Sequence, residues 1–215
     1  LYYCPDRVTD EDLLSRLGDV PGLEPVLVSE PVMDRISYRE QGEGLLVVAP
    51  QVSPGLADLG LPPDALVVVL EKVEKPGNLG AILRTADGAG AHAVLLCGAG
   101  TDPFNPNVLR ASRGAFFTVP TVAADTAAVL DFCRERGLRT VATSPGATDS
   151  WDAVDLTGGT AILLGAEDTG LSDDLLAGAD TAVRLPMAGA GDSLNVSTTA
   201  AIMLYEAVRQ RRAAK

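Results

Sequence analysis

Residues 65–97 read ALVVVLEKVEKPGNLGAILRTADGAGAHAVLLC, and this stretch decides the fold. Ala65-Leu66-Val67-Val68-Val69-Leu70 is apolar without interruption, the pattern of a strand buried on both faces. The apolar period then changes. Leu79, Ile82, Leu83 and Ala86 stand at i, i+3, i+4 and i+7, which is one face of a helix over 79–86. Ala93–Cys97 is apolar again and reads as a second strand. Strand, helix and strand within about thirty residues make a βαβ unit, which lays its two strands parallel.

The same alternation continues toward the C-terminus. Asn105-Pro106 is an N-cap and first-turn pair opening a helix toward Ser112. Thr118–Val122 is a strand, and Asp125 caps a helix reaching Arg136 that Gly137 stops. Thr140–Thr143 and Ala161–Leu164 are strands. Ser172 caps a short helix through Leu176, and Ala182–Leu185 is the last strand. Ser193 opens a final helix whose Ser197, Ala200, Ala201, Leu204 and Val208 share a face. Arg209, Arg211, Arg212 and Lys215 gather at its C-terminal end, where the helix dipole favours cations. The rhythm predicts an α/β domain with a mostly parallel sheet over residues 65–215.

Toward the N-terminus, residues 1–54 read as a smaller α/β unit. It has strands at Leu1–Cys4, Pro25–Val28 and Gly44–Ala49. Its helices run from a cap at Thr9 through Leu17 and from Glu30 to Ser37. Residues 55–64, rich in turn formers, read as a linker. The chain opens on Leu1 inside a strand-like segment, so a preceding segment is expected in the full protein.

Composition narrows the chemistry. The chain has 215 residues, 47% of them hydrophobic but only 4% aromatic, so the core must be built from Val, Leu, Ile and Ala. Cys4, Cys97 and Cys133 form no C-x-x-C pair, which favours a reducing, cytoplasmic setting. One histidine, His92, and scattered cysteines leave no basis for a metal site, and His92 reads as structural. No run of about 18 apolar residues predicts a membrane span. The formal charge of −12 opposes nucleic-acid binding, which depends on cations meeting phosphates, although a local basic patch can exist on an acidic protein.

Ligands of open parallel sheets bind beyond the carboxyl ends of strands, and three such segments carry polar residues. The first is Asn78-Leu79-Gly80-Ala81 with Arg84-Thr85-Ala86. Asn78 is a possible helix cap, and Gly80 one turn before Arg84 leaves room for a ligand or another backbone. The second is Leu164-Gly165-Ala166-Glu167 with Gly170-Leu171, a carboxylate between glycines that also suit a tight turn. The third is Leu185-Pro186-Met187, then Gly189, then Ser193-Leu194-Asn195-Val196-Ser197. Capping accounts for Ser193 but not for Asn195 and Ser197. Gly88-Ala89-Gly90-Ala91-His92-Ala93 imitates a dinucleotide fingerprint but lies between a helix and a strand, the wrong context. No P-loop and no G-x-S-x-G elbow is present.

Together, and in this order, the three segments resemble the SpoU (TrmH) family of RNA 2′-O-ribose methyltransferases of the SPOUT class, over roughly residues 65–212. Residues 1–52 resemble, more weakly, the back part of that family's L30-like RNA-binding domain. The resemblance implies a C-terminal trefoil knot, a homodimer and the cofactor S-adenosylmethionine. It places the cofactor on the loops at Thr143-Ser144, Leu164-Gly165-Glu167, Leu185-Met187 and Ser193-Leu194-Asn195. The family's catalytic arginine matches Arg84. Because arginine is effectively always protonated, clamping a phosphate and stabilising a developing alkoxide suits it better than acting as a base, with a desolvated neutral Arg84 the alternative. Asn78, Glu167, Ser193 and Asn195 match positions that shape the reacting site. Arg110 and Arg113, with Ser112, are candidate RNA contacts. Ribosomal RNA is the expected substrate and transfer RNA the alternative. A catalytically silent RNA-binding relative and an unrelated doubly wound nucleotide-binding enzyme are the rival readings.

Overall fold

The computed structural model describes residues 1–8, 10–38 and 44–214. They form two compact units, Leu1–Val52 and Ser53–Lys215.

The smaller unit runs β1 (Tyr2–Tyr3), α1 (Glu11–Gly18), β2 (Val26–Leu27), α2 (Glu30–Ile36) and β3 (Leu45–Leu46). Its sheet has the order β2-β1-β3, with β1 parallel to β2 and antiparallel to β3. These strands are shorter than the apolar runs that announced them. Asp10 caps α1, its carboxylate accepting from Leu13 N at 2.9 Å. Thr9, read as that cap, lies outside the described residues. The Arg7 guanidinium donates to Glu30 and Asp34 on α2, and this contact holds the Asp34 carboxyl below its usual range.

The larger unit contains β4 (Leu66–Glu71), α3 (Pro76–Ala89), β5 (Ala93–Cys97), α4 (Pro106–Ser112), β6 (Thr121–Ala123) and α5 (Thr126–Glu135). It continues with β7 (Arg139–Thr143), β8 (Asp149–Ser150), β9 (Thr160–Leu164), α6 (Asp173–Gly178), β10 (Thr181–Arg184) and α7 (Val196–Ala213). The seven strands order as β6-β5-β4-β9-β7-β10-β8, and every neighbouring pair is parallel. All of β4 is buried because its residues alternate between two cores. Leu66, Val68 and Leu70 pack with Ile82 and Leu83 of α3 and with Met203 and Leu204 of α7. Val67 and Val69 pack with Val129 and Phe132 of α5 and with Leu175 of α6. Helices therefore cover both faces, the condition that permits an uninterrupted apolar strand.

The structure corrects several boundaries. Residues 55–64 are not a free linker: they belong to the larger unit, where Leu59 is buried in the same core as Val67. Thr118 is not in a strand. Ala115–Phe117 forms a 3₁₀ turn, and the Thr118 hydroxyl bonds Asp87 instead of a ladder. The two-residue strand β8 is exposed and carries no apolar signal. The buried face of α7 centres on Ala200, Met203, Leu204 and Ala207, with Ser197, Ala201 and Val208 at its margins. Arg211 does more than complement a helix dipole. It donates to the carbonyls of Asp64, Leu156 and Gly158 at 2.7, 2.9 and 2.5 Å, fastening the last helix to the segments before β4 and β9. Lys215 lies outside the described residues.

Candidate active site

The site grows from the ends of three adjacent strands. At the end of β9 the chain doubles back on itself: Ala166 N and Gly170 N exchange hydrogen bonds with Gly170 O and Ala166 O at 3.1 and 3.0 Å. Gly165 makes this reversal possible, since a Cβ there would stand 2.1 Å from the Gly170 carbonyl carbon. Gly170 itself has φ +68°. The glycines are thus required by the turn, and the turn presents Glu167. A buried carboxylate anchors its far side. Glu71, 2% exposed at the end of β4, accepts from Ser172 N at 2.7 Å. Sequence reasoning missed Glu71; the only signal was a charge closing an apolar run.

Beside this turn, Ser144 N donates to Val183 O at 3.0 Å and the Thr143 hydroxyl to Leu163 O at 3.1 Å, tying the loop after β7 to both neighbours. These loops and the one after β10 enclose a cleft of about 330 Å³. Of the residues expected to hold a cofactor, Thr143, Ser144, Leu164, Gly165, Glu167, Leu185, Met187, Ser193 and Leu194 line it. Asn195 does not, and neither do Asn78 and Arg84, which were expected to serve the reaction instead. Asp168, Asp192 and Thr199 line it without having been singled out, and Leu171 of the second segment lines it too.

Asn78 and Asn195 join the cleft through side chains. Asn195 is the N-cap of α7, its Oδ1 accepting from Ser197 N at 2.9 Å and from the Ser197 hydroxyl at 2.6 Å. Capping therefore explains Asn195 and Ser197 after all, and Ser193 lies before the helix instead of opening it. The Asn195 amide is left to donate to Asn78 Oδ1 at 3.3 Å, and the Asn78 amide donates to Glu167 Oε1. Lys75 pairs with Glu167 Oε2 at 3.3 Å. Asn78 can do this because it is not a cap: α3 begins at Pro76 with Lys75 at its cap position, so Asn78 sits in the first turn with its side chain free to reach across. The chain Asn195–Asn78–Glu167–Lys75 links all three sequence segments and engages both oxygens of the carboxylate.

Gly80 serves α4 rather than a ligand. Its missing Cβ would meet Ala111 Cβ at 2.4 Å and Ser112 N at 2.9 Å. Arg84, one turn on, is exposed and makes no hydrogen bond or ion pair among the described residues. Arg110 and Arg113 are exposed on α4 and at its C-cap. His92 is structural, its Nδ1 accepting from Leu66 N at 3.1 Å. Burial pushes the Cys97 and Cys133 thiols up to about 11 and about 12, so neither is a nucleophile at neutral pH. Among the described residues no group of three His, Cys, Asp or Glu could hold a metal ion, and no helix is long and apolar enough to cross a membrane.

Comparison with known proteins covers the part of the chain that forms this cleft. The model of the SpoU rRNA Methylase family matches residues 65–205, from the start of β4 into α7. The chain belongs to that family. Among SpoU relatives, an uncharacterized tRNA/rRNA methyltransferase of Synechocystis sp. is 36% identical over 202 residues, covering 88% of this chain and 74% of that one. The 23S rRNA (guanosine-2′-O-)-methyltransferase RlmB of Pseudomonas syringae pv. tomato is 43% identical over 149 residues, 69% of this chain and 60% of RlmB. The SpoU methyltransferase AviRb from Streptomyces viridochromogenes, solved in complex with AdoMet, superposes with a TM-score of 0.87 at 29% identity, covering 98% of this chain and 82% of AviRb. SpoU membership removes the rival reading of an unrelated doubly wound nucleotide-binding enzyme.

Proposed function

We propose that this SpoU-family chain transfers a methyl group from S-adenosylmethionine to a ribose 2′-hydroxyl of RNA, with 23S-type ribosomal RNA as substrate. The observation that carries the reading is the side-chain chain Asn195–Asn78–Glu167, which unites the three family segments at the mouth of one cleft. The lining fits the cofactor. Leu164, Leu171, Leu185 and Met187 offer apolar surface for a flat base, while Asp168 and Asp192 offer carboxylates to a cationic centre. When bound, the cofactor supplies an electrophilic methyl group on a positively charged sulfur.

The protein's own task is to orient the ribose and stabilise the charge that grows on its oxygen. Glu167 has both oxygens engaged, so it positions Asn78 and the loop instead of accepting the proton. Arg84 is exposed, the setting of a charged guanidinium, and it suits a phosphate clamp and an alkoxide stabiliser. It stands off the cleft of its own chain. We therefore infer a homodimer in which Arg84 of one copy serves the cleft of the other. The strand order β4-β9-β7-β10, with the loops after β7, β9 and β10 closing on one cleft and Arg211 fastening α7 to the segments before β4 and β9, supports a C-terminal trefoil knot. The smaller unit is read as part of an L30-like RNA-binding domain. Three buried free thiols fit a cytoplasmic protein.

The test is transfer of a labelled methyl group from S-adenosylmethionine to unmodified 23S-type RNA, with ribose methylation mapped on the product. Arg84→Ala should lower transfer by about 100-fold or more while cofactor titration is unchanged. Wild-type activity in that variant rejects the assigned role. RNA retention by the wild-type chain with neither cofactor uptake nor transfer supports the silent relative.

A further inference from the structure

Two contacts place an exposed aromatic ring and two unpaired arginines on one strip alongside α3. The close approach at Gly80 lays the end of α4 against the first turns of α3. Arg113 follows at the C-cap of α4, exposed and held in the left-handed region at φ +51°. The 3₁₀ turn Ala115–Phe117 then carries the chain back along α3, where the Thr118 hydroxyl donates to Asp87 Oδ1 at 2.6 Å. Arg84 lies one helical turn from Gly80 on one side and from Asp87 on the other, between the two anchor points.

Phe117 is 77% exposed, the most exposed large apolar side chain described in the larger unit. It is nevertheless held in place. Phe116 meets it edge to face at 5.3 Å with an interplanar angle of 88°, and Phe104 braces Phe116 at 5.3 Å and 72°. A ring 77% exposed yet braced by a neighbouring ring has the form of a stacking platform. Neither Arg84 nor Arg113 has a carboxylate partner among the described residues. Asp87 is the adjoining acid, and its carboxylate is occupied by Thr118. On a chain of net charge −12, uncompensated cations mark where a polyanion can approach.

We propose that Phe117 stacks on an unpaired base of the RNA substrate while Arg113 and Arg84 hold the phosphates flanking that base. The inference rests on the reading of the chain as an RNA methyltransferase and adds its mode of substrate recognition. Sequence-tolerant stacking would grip a single-stranded loop or bulge, in which bases are free to be splayed.

Two measurements on the full chain test it. In steady-state transfer to unmodified 23S-type RNA, Phe117→Ala and Phe117→Leu should raise the KM for RNA by about ten-fold or more, with kcat and cofactor affinity unchanged, and Phe117→Tyr should restore it. Leu keeps apolar bulk without a π-face, so the Leu–Tyr contrast separates stacking from packing. Separately, the emission of Phe117→Trp should be quenched by single-stranded oligoadenylate, with the wild-type chain and its lone Trp151 as reference. Unchanged KM in both the Ala and Leu variants overturns the proposal. So does conversion of the assembled protein to monomer by Phe117→Ala in light scattering, which assigns the ring to a second copy. If the wild-type chain transfers no methyl group, quenching of the Phe117→Trp emission keeps this inference and rejects the enzymatic reading, whereas absence of both rejects the two together.

Discussion

Replacing Gly165 by alanine adds one methyl group at the most crowded glycine of the cleft. The new Cβ would lie 2.1 Å from the Gly170 carbonyl carbon, 2.2 Å from Leu171 N and 2.3 Å from Gly170 O. All three neighbours are backbone, so no side chain can swing aside. Relief to a normal separation of about 3.5 Å requires the turn to move by more than about 1 Å. That movement gives up the two hydrogen bonds between Ala166 and Gly170, a loss of about 2 kcal/mol at about 1 kcal/mol each. Forcing the turn back to its present shape carries overpacking strain of about 1–3 kcal/mol. A cofactor that requires this shape must supply that energy, and about 2 kcal/mol corresponds to a roughly 30-fold weaker affinity. Calorimetric titration of S-adenosylmethionine, paired with chemical unfolding, reads both effects. Gly189→Ala is the control: it lies in the loop after β10 with nothing within 4 Å of an added Cβ, so it should change neither. If Gly165→Ala binds the cofactor within about three-fold of wild type and unfolds at the same midpoint, the claim that this turn shapes the site is refuted.

Two further outcomes follow from contacts away from the cleft. Arg211→Ala should lower unfolding free energy by about 2–4 kcal/mol in urea titration, because the carbonyls of Asp64, Leu156 and Gly158 lose a charged donor; Arg211→Lys should recover only part, lacking the planar fork, and an unchanged midpoint for Arg211→Ala refutes the fastening role. On the acid side, the Asp180 carboxyl is held low by hydrogen bonds from Thr140, Asp155 by those from Thr157, and Glu206 by the Arg209 guanidinium. Depressed folded values mean that this stabilisation is complete above the unfolded carboxyl range, near pH 4, and is lost as pH falls through the folded values. Urea midpoints should therefore drop progressively below about pH 5, and Asp180→Asn should flatten the slope; an unaltered slope in that variant rejects the Asp180 contribution.

By itself the sequence determined the class of fold and the three loops worth examining. Uninterrupted apolar runs such as Val67-Val68-Val69 are stable only in a strand covered on both sides, and the helical period from Leu79 supplies one cover, so a parallel α/β sheet is written locally. Ser172 and Asn105 cap the helices they were read to cap, because capping needs only the few residues that follow. What tertiary structure decided is everything that depends on partners distant in the chain. The strand order that seats β9 between β4 and β7, the role of Gly80 as a seat for Ala111, and the carboxylate of Glu71 reaching Ser172 have no local signature. Asn78 shows the division most plainly. Alone it looks like a helix cap; only when α3 starts at Pro76 and segments 89 and 117 residues further on arrive beside it does its amide become the link between Asn195 and Glu167. Short-range pattern fixes which backbone hydrogen bonds each segment makes, whereas a side chain's partner is set by which segments the packed core brings together, and that is a property of the whole chain.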